Sequence, residues 1–259
     1  MGNVRLLHKM KKRNMKRILT IIAVIAFTLS AAAQSEQLKI TIFGDSYSTF
    51  AGYLSCDSNL TWYYPADHPW FNKMTDVTKV EETWWYQVID KLNAKLELNN
   101  SFSGSTICYS GYASAIKESG SLKVKGHEKF ADYTNRSFVN RSNALGNPDV
   151  ILICGGTNDS WCGAKVGDYV YGNQTYEQLC DFRPAMAKML SDIKVNYPTA
   201  RILFILNSEL REDINESVHT ICKHYAVDCL DLKDIEKKGG HPSIKGMKAF
   251  ANQVLDKLK

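Results

Sequence analysis

The sequence predicts an α/β fold in which helices cover both faces of a parallel sheet. Five short apolar runs alternate along the chain with segments of helical periodicity. The runs are rich in Ile, Leu and Val without polar alternation, which is typical of strands buried on both faces. No internal repeat or Pro/Gly/Ser-rich linker divides the chain, so one domain is expected.

The first half of the chain supplies three strands and one helix. A helix is predicted over 83–92, because Trp84, Trp85 and Val88 fall on one face of it. The run VILIC at 150–154 is apolar throughout, which by itself predicts a buried strand. The strands predicted in this half are 38–43, 95–99 and 150–154.

Helix and strand take turns in the second half of the chain. Apolar residues at helical spacing, such as Met186, Met189 and Ile193, predict helices with one buried stripe. Such alternation predicts right-handed crossovers between parallel strands. The helices predicted here are 184–195, 214–225 and 243–258, and the strands are 201–206 and 226–232.

Residues 1–33 are predicted to be a signal peptide that precedes a domain at 34–259. A basic segment, an apolar run over 18–29 and an Ala-x-Ala site before Gln34 form its three parts. The apolar run is shorter than the roughly 20 residues of a membrane span. We therefore expect export with cleavage of the signal peptide. The mature protein would be periplasmic or secreted, with no stable membrane insertion after cleavage. A retained N-terminal anchor is the alternative.

The leader carries the excess positive charge of the chain. Residues 1–33 hold seven Lys or Arg and no acidic residue, which leaves 25 basic and 27 acidic residues in the rest. The remaining domain is near neutral, so nucleic acid is not expected as a partner. The seven cysteines permit disulfides in an exported chain. No CxxC or His/Cys cluster has zinc spacing, so no metal site is expected.

Four polar or glycine positions follow the ends of predicted strands. Ser46 follows the first strand, Gly104 the second, Asn158 the third and His241 the fifth. The carboxyl ends of parallel strands lie at one edge of a sheet, where ligands bind in open α/β folds. The four positions are therefore expected to meet at that edge.

These residue types suit acyl transfer. A serine hydroxyl needs a base such as His241 to attack a carbonyl. The N–H groups of Ser46 and Gly104 and the side-chain amide of Asn158 would form an oxyanion hole. Each residue also has a purely structural interpretation: a helix-capping serine, a loop histidine, a turn glycine or an Asx-turn asparagine.

The four segments together resemble the SGNH, or GDSL, hydrolase superfamily, and more loosely its secreted members of Bacteroidetes type. The matching segments are FGDSYS at 43–48, NSFSGS at 100–105, GGTND at 155–159 and GHPS at 240–243. The resemblance implies a flavodoxin-like, three-layer α/β/α sandwich with about five strands. It also implies hydrolysis of ester or thioester bonds without a metal or organic cofactor.

One position departs from the family pattern. The family has an aspartate three residues before the histidine to orient its ring, and this chain has Lys238 there. A lysine ammonium has no acceptor lone pair. Glu236, Asp234 or a backbone carbonyl could replace the aspartate, and Glu236 is the preferred candidate. A Ser-His dyad oriented by a carbonyl is equally admissible.

The sequence therefore predicts an exported serine esterase that acts on short-chain, acetyl esters of carbohydrate or of small molecules. Aromatic residues crowd the long connection around 62–71, where they could form a carbohydrate platform or simply pack. A lipase or acyl transferase of the same fold is one alternative. A catalytically weak glycan-binding module is another, because Lys238 replaces the aspartate.

Overall fold

Five parallel strands form the central sheet of the computed structural model, which describes residues 37–259. The predicted signal peptide at 1–33 lies outside the described residues. The sheet order is β2-β1-β3-β4-β5, and each neighbouring pair is parallel. The strands are β1 (Lys39–Gly44), β2 (Lys95–Asn99), β3 (Val150–Cys154), β4 (Arg201–Leu206) and β5 (Asp228–Asp231).

Helices cover both faces of this sheet. On one face, Trp84 of the first helix stacks on Phe250 of the last, with ring centroids 4.4 Å apart. On the other face, Met186 and Ile214 from two further helices join a second buried cluster. The helices are α1 (Trp84–Lys91), α2 (Thr157–Cys162), α3 (Phe182–Asn196), α4 (Glu212–His224) and α5 (Ile244–Leu258). The α/β/α sandwich predicted from the sequence is thus confirmed.

Shorter elements occupy the long connections at the sheet's carboxyl edge. Two-residue strands pair antiparallel in two places, and single helical turns lie between them. The short strands are Ser110–Gly111, Ala131–Asp132, Lys237–Lys238 and His241–Pro242, and the one-turn α-helices are Ile116–Ser119 and Phe138–Arg141. The 3-10 turns are Ser46–Ser48, Val80–Glu82, Ala113–Ala115, Thr134–Arg136 and Gln178–Cys180.

The alternation of side chains along β1 shows how the sheet builds two cores. Ile40 and Ile42 face the cluster that contains α1 and α5, whereas Phe43 faces the cluster that contains α3 and α4. All seven cysteines lie in the described part of the chain and are free thiols there. Cys154 at the end of β3 is fully buried among apolar residues. Over residues 37–259 no helix has the length and apolar character needed to span a bilayer.

Candidate active site

Ser46 lies just beyond the carboxyl end of β1. It begins the 3-10 turn Ser46–Ser48, whose N-terminus is capped by Asp45. The Tyr47 N–H donates to Asp45 Oδ1 at 3.0 Å. Ser46 is 4% exposed. The hydroxyl is therefore held on a short capped turn and faces away from bulk water.

The structure brings the Ser46 hydroxyl to the imidazole of His241. Ser46 Oγ lies 2.8 Å from His241 Nε2, across 195 positions of sequence. His241 is 5% exposed. A serine within hydrogen-bonding distance of a buried imidazole is the arrangement that nucleophile activation requires.

A tight hairpin presents His241. It pairs across a two-stranded ladder with Lys238, and the turn between them consists of Gly239 and Gly240. Both glycines have left-handed φ angles, +59° and +78°, which other residues rarely adopt. A Cβ on Gly239 would also lie 2.8 Å from the backbone oxygen of Met74. The glycines thus allow the hairpin to close against the neighbouring loop.

The second imidazole nitrogen contacts the peptide backbone. His241 Nδ1 lies 3.2 Å from the Gly239 carbonyl oxygen. Glu236, the preferred orienting acid, is engaged elsewhere: its carboxylate accepts from Ser243 Oγ at 2.6 Å and from Lys245 Nζ at 3.1 Å. Because Ser243 caps α5, Glu236 is held at that helix N-terminus. The preference for Glu236 is corrected accordingly, and the carbonyl alternative matches the observed contact.

Aromatic rings surround His241. The indole of Trp62 stacks on the imidazole, with centroids 3.6 Å apart and planes 10° from parallel. Tyr47 lies tilted at 5.1 Å, and Trp161 and Tyr63 present near-perpendicular rings at 6.1 Å and 6.3 Å. We refer to these four rings as the aromatic clamp.

Two hydroxyls of the aromatic clamp also hold the hairpin backbone. Tyr47 OH donates to the Gly240 carbonyl at 2.8 Å, and Tyr63 OH donates to the Pro242 carbonyl at 3.1 Å. These bonds bracket His241 on both sides along the chain. Packing and hydrogen bonding therefore fix the histidine without a carboxylate.

Burial keeps His241 neutral. Desolvation lowers its pKa from 6.5 to about 4, with a smaller lowering from Lys237, while the bond to Gly239 acts in the opposite direction. A neutral imidazole at neutral pH is the form that accepts a proton.

Asn158 lies in the first turn of α2 and is held through both ends of its amide. Its Nδ2 donates to the Ser105 carbonyl at 2.9 Å, and its Oδ1 accepts from Tyr112 OH at 2.8 Å. The amide nitrogen carries two hydrogens. One N–H therefore remains for another acceptor.

The segment that carries Gly104 is anchored to both neighbouring strand ends. The Phe102 N–H donates to the Gly44 carbonyl at 3.1 Å, and Ser105 is bound by Asn158. Gly104 has a left-handed φ of +76°. Within residues 37–259 no acceptor is bound to the N–H of Gly104 or of Ser46.

The buried side chain of Arg141 forms hydrogen bonds with several of these segments. The guanidinium of Arg141 donates to both oxygens of Asn100, to Ser105 Oγ at 3.1 Å and to the Gly44 carbonyl at 3.5 Å. It also packs against the rings of Phe43 and Phe138. Desolvation lowers the pKa of Arg141 to about 9. It therefore remains a cation at neutral pH.

Two buried carboxyl groups share this region. Desolvation raises the pKa of Asp45 to about 7 and that of Asp159 to about 6. Asp159 accepts from the N–H groups of Ile107 and Cys108. These bonds fix the loop that follows the Gly104 segment, so Asp159 serves the scaffold of the site.

Two open cavities lie along the loops next to Gly104 and Trp62, and neither is lined by Ser46 or His241. A cavity of about 950 Å³ is lined by polar residues together with Phe102 and Arg141. A smaller one of about 350 Å³ is lined by Leu60, Tyr64 and Trp70 among others. The two share the wall formed by Cys56, Ser58 and Asn59.

Three contributors to this site carry no signal in the sequence. Tyr112 and Arg141 fall in the long connection after Gly104, where no motif marks them. Trp62 belongs to the aromatic-rich loop, but nothing in its spacing indicates a partner in His241. Tertiary contacts alone reveal these roles.

Comparison with known proteins assigns the chain to a family. The model of the GDSL-like lipases and acylhydrolases matches residues 38–258. The chain belongs to this family. The resemblance predicted from the four motifs is thereby confirmed, and this GDSL-like hydrolase is an ester-hydrolysing enzyme. Among curated proteins no match was found.

Two solved structures are similar along nearly their whole length. A GDSL-like lipase from Bacteroides ovatus is 47% identical, with 86% of this chain and 99% of that chain covered and a TM-score of 0.77. Another from Bacteroides uniformis is 46% identical, with 86% and 96% covered and a TM-score of 0.78.

A more distant likeness concerns carbohydrate esterases. One, described as having divergent catalytic and non-catalytic binding functions in its active site, is 18% identical with a TM-score of 0.57. The match covers 88% of this chain and 70% of that one. At this identity, the likeness shows a shared fold.

Proposed function

We propose that this GDSL-like hydrolase is an exported serine esterase that removes short acyl groups, acetyl in particular, from carbohydrate. The observation that carries the proposal is the 2.8 Å contact between Ser46 Oγ and a neutral His241. It supplies a nucleophile with an adjacent base, which covalent acyl transfer requires.

In the first half-reaction, Ser46 Oγ attacks the ester carbonyl while His241 Nε2 takes the hydroxyl proton. The negative charge on the carbonyl oxygen is received by the N–H groups of Ser46 and Gly104 and by the free N–H of Asn158. The C–O bond to the sugar breaks, and the sugar oxygen takes the proton from Nε2. An acetyl-Ser46 ester remains.

Water completes the cycle with the same groups. His241 removes a proton from the water as its oxygen attacks the acyl carbonyl, and the same donors hold the charge. Collapse releases acetate and returns the proton to Ser46 Oγ. The tetrahedral intermediates of both half-reactions are therefore stabilised by the same protein groups.

The carbonyl partner of His241 sets a limit on the rate. When Nδ1–H donates to the Gly239 oxygen, the tautomer with a free Nε2 lone pair is favoured. A carbonyl carries no formal charge, so it stabilises the transient imidazolium less than an aspartate does. We expect turnover below that of a full triad.

Carbohydrate is favoured as the alcohol partner by the surface around the site. The exposed Trp70 and the half-buried Tyr64 line the smaller cavity, and aromatic faces suit the apolar faces of sugar rings. The larger cavity offers polar groups such as Asn59, Asn135 and Glu118, which suit sugar hydroxyls. The leader at residues 1–33 supports export to a compartment where such glycans occur.

Substitution of the nucleophile tests the mechanism. Ser46→Ala is expected to abolish hydrolysis of p-nitrophenyl acetate and labelling by a fluorophosphonate probe. Ser121→Ala is the matched control, since among residues 37–259 its hydroxyl is hydrogen-bonded only by Lys123 Nζ, at 3.3 Å. Unchanged hydrolysis in Ser46→Ala would overturn the mechanism.

Acyl length and alcohol partner are tested separately. We expect p-nitrophenyl esters to be cleaved less well as the acyl chain lengthens from acetyl to octanoyl, and acetate to be released from acetylated polysaccharides. Preference for long chains would favour a lipase or acyl transferase of the same fold.

The specific observation that favours a different function is the missing carboxylate at Nδ1. A glycan-binding module could retain the site without turning over. Binding of acetylated glycan without any fluorophosphonate labelling of Ser46 would establish that function instead.

Export is tested by cell fractionation. Cells of Bacteroides type that express the protein are separated into cytoplasm, periplasm and medium, and we expect the protein in the periplasm or medium.

A further inference from the structure

Three side chains with metal-binding chemistry meet at the edge of the sheet, where α4 precedes β5, and the thiol of Cys222 lies beside one of them. His219 and Cys222 come from α4, and Cys229 and Asp231 come from β5. Ligand atoms of His219, Cys229 and Asp231 all lie within 4.8 Å of one another. His219 Nε2 is 3.3 Å and Cys229 Sγ is 3.9 Å from Asp231 Oδ1.

Cys222 lies beside Cys229 and is buried. Its thiol is in hydrogen-bonding contact with the Cys229 thiol. Cys222 is 1% exposed, whereas the side chains of His219 and Asp231 are each 49% exposed. The three-residue group is therefore open to solvent, with one buried thiol next to it.

Ordinary helix and strand geometry produces this grouping. Residues three apart, such as His219 and Cys222, lie on one face of a helix. Residues two apart, such as Cys229 and Asp231, lie on one face of a strand. The turn between α4 and β5 is closed by the Val227 N–H, which donates to the Cys222 carbonyl at 2.9 Å. Ligands divided between two elements escape a search for close sequence spacing.

We infer that His219, Cys229 and Asp231, with Cys222 beside Cys229, form a binding site for a thiophilic divalent cation of the Zn²⁺ class. An imidazole, a thiolate and a carboxylate are donors of the kind that Zn²⁺ binds, and Cys222 offers a second thiol. The site shares no residue with the catalytic groups.

Metal binding at a thiol is coupled to proton release, because a bound cation stabilises the thiolate. The Cys222 and Cys229 thiols could instead oxidise to a disulfide, which would remove Cys229 as a ligand.

Co²⁺ is the spectroscopic probe for the site. The whole protein, reduced and then freed of reductant under nitrogen, is titrated with Co²⁺. We expect one equivalent to produce the thiolate-to-cobalt band and the visible bands of a tetrahedral site, and Zn²⁺ to remove both. Zn²⁺ at about 100 times its dissociation constant is also expected to raise the thermal midpoint, since it binds the folded chain alone.

The exposed His219 and the half-buried Cys229 provide the variants, because they are less buried than Cys222. Cys229→Ser and His219→Ala are each expected to weaken Co²⁺ binding at least tenfold and to leave esterase activity unchanged. Cys56→Ser, which removes an exposed thiol outside the group, is expected to bind Co²⁺ as the parent does. Circular dichroism of the metal-free variants checks their folding.

Three results would overturn the inference. They are the absence of a cobalt–thiolate band in the reduced protein, an unchanged band in Cys229→Ser, and a Cys222–Cys229 disulfide in protein isolated from cells without reductant.

Discussion

The indole of Trp62 lies flat against the imidazole of His241, 3.6 Å away between centroids, on a ring that has no carboxylate at its far nitrogen. Stacking restricts rotation of the imidazole about its Cβ–Cγ bond. The usual orienting bond from an acid does the same. Trp62 is thus the neighbour best placed to keep Nε2 aimed at Ser46.

Trp62→Ala is expected to lower kcat for p-nitrophenyl acetate by about ten- to a hundredfold, because a small displacement of a catalytic group has costs of this order. Trp62→Phe is expected to retain most activity, since it keeps a ring and the indole N–H has no partner within residues 37–259. Trp70→Ala, an exposed tryptophan, is the control with this substrate. Equal losses in the Ala and Phe variants would contradict a stacking role.

The pH dependence of kcat/KM reports the His241 pKa in the free enzyme. His241 must be neutral to accept a proton, and it is neutral above its pKa of about 4. Activity is therefore expected to persist as the pH falls through the ordinary histidine value of 6.5 and to be lost only near pH 4. Recovery on return to neutral pH separates titration from acid unfolding. A half-maximal point near 6.5 would contradict the burial argument.

Removal of the Asn158 amide tests the oxyanion hole. Asn158→Ala is expected to lower kcat by about a hundred- to a thousandfold, the usual effect of losing one donor. Tyr112→Phe removes the hydroxyl that holds the amide, so a smaller loss in kcat with little change in KM is expected. Steady-state kinetics of both variants measure this, and a Tyr112→Phe effect confined to KM would argue for substrate binding instead.

Lys238 stands opposite His241 in the short ladder, so a carboxylate there would lie near the ring. Lys238→Asp is expected to raise the His241 pKa, because an anion favours the imidazolium, and to raise kcat by about tenfold or less, as part of what a triad acid supplies. The acid limb of the profile of kcat/KM against pH then moves to higher pH. Lys238→Gln removes only the cation and is the matched control; identical profiles for the two variants would refute an orienting carboxylate.

Arg141 is expected to dominate the stability of the site. Arg141→Met keeps the side-chain length but leaves Ser105 Oγ and the Asn100 oxygens without their donor. Leaving a buried acceptor without its donor costs about 1–3 kcal/mol. Urea unfolding measures the change, and Arg201→Met, at an exposed ion pair, is expected to change the unfolding free energy by less than about 1 kcal/mol. Similar values for both would show that burial of Arg141 is unimportant.

The sheet and the long helices could be predicted from sequence because burial on both faces leaves continuous apolar runs. The strand predicted at 226–232 is observed as Asp228–Asp231, and α3 begins two residues before the predicted 184. The six-residue helix α2 and the two-residue strands could not be predicted, since they are too short to show a hydrophobic periodicity. Their positions depend on tertiary contacts.

The site divides in the same way. The meeting of Ser46 and His241 could be expected because each follows a strand that ends at the same edge, and Gly104 and Asn158 stay predicted oxyanion donors. The group that accepts from His241 Nδ1 could not be predicted, because the carboxylate of Glu236 is already bound by Ser243 at the helix cap. Competition between nearby hydrogen-bond donors is decided in three dimensions.

The Gly239 carbonyl gives the dyad a property that an aspartate would not. A peptide oxygen has no ionisable proton in the physiological range, so mild acid cannot take away the acceptor that aligns the ring. Within the dyad, the imidazole is then the group that gains a proton. Acid would stop the dyad by protonating that ring, and the oxygen that aligns the ring would still be in place.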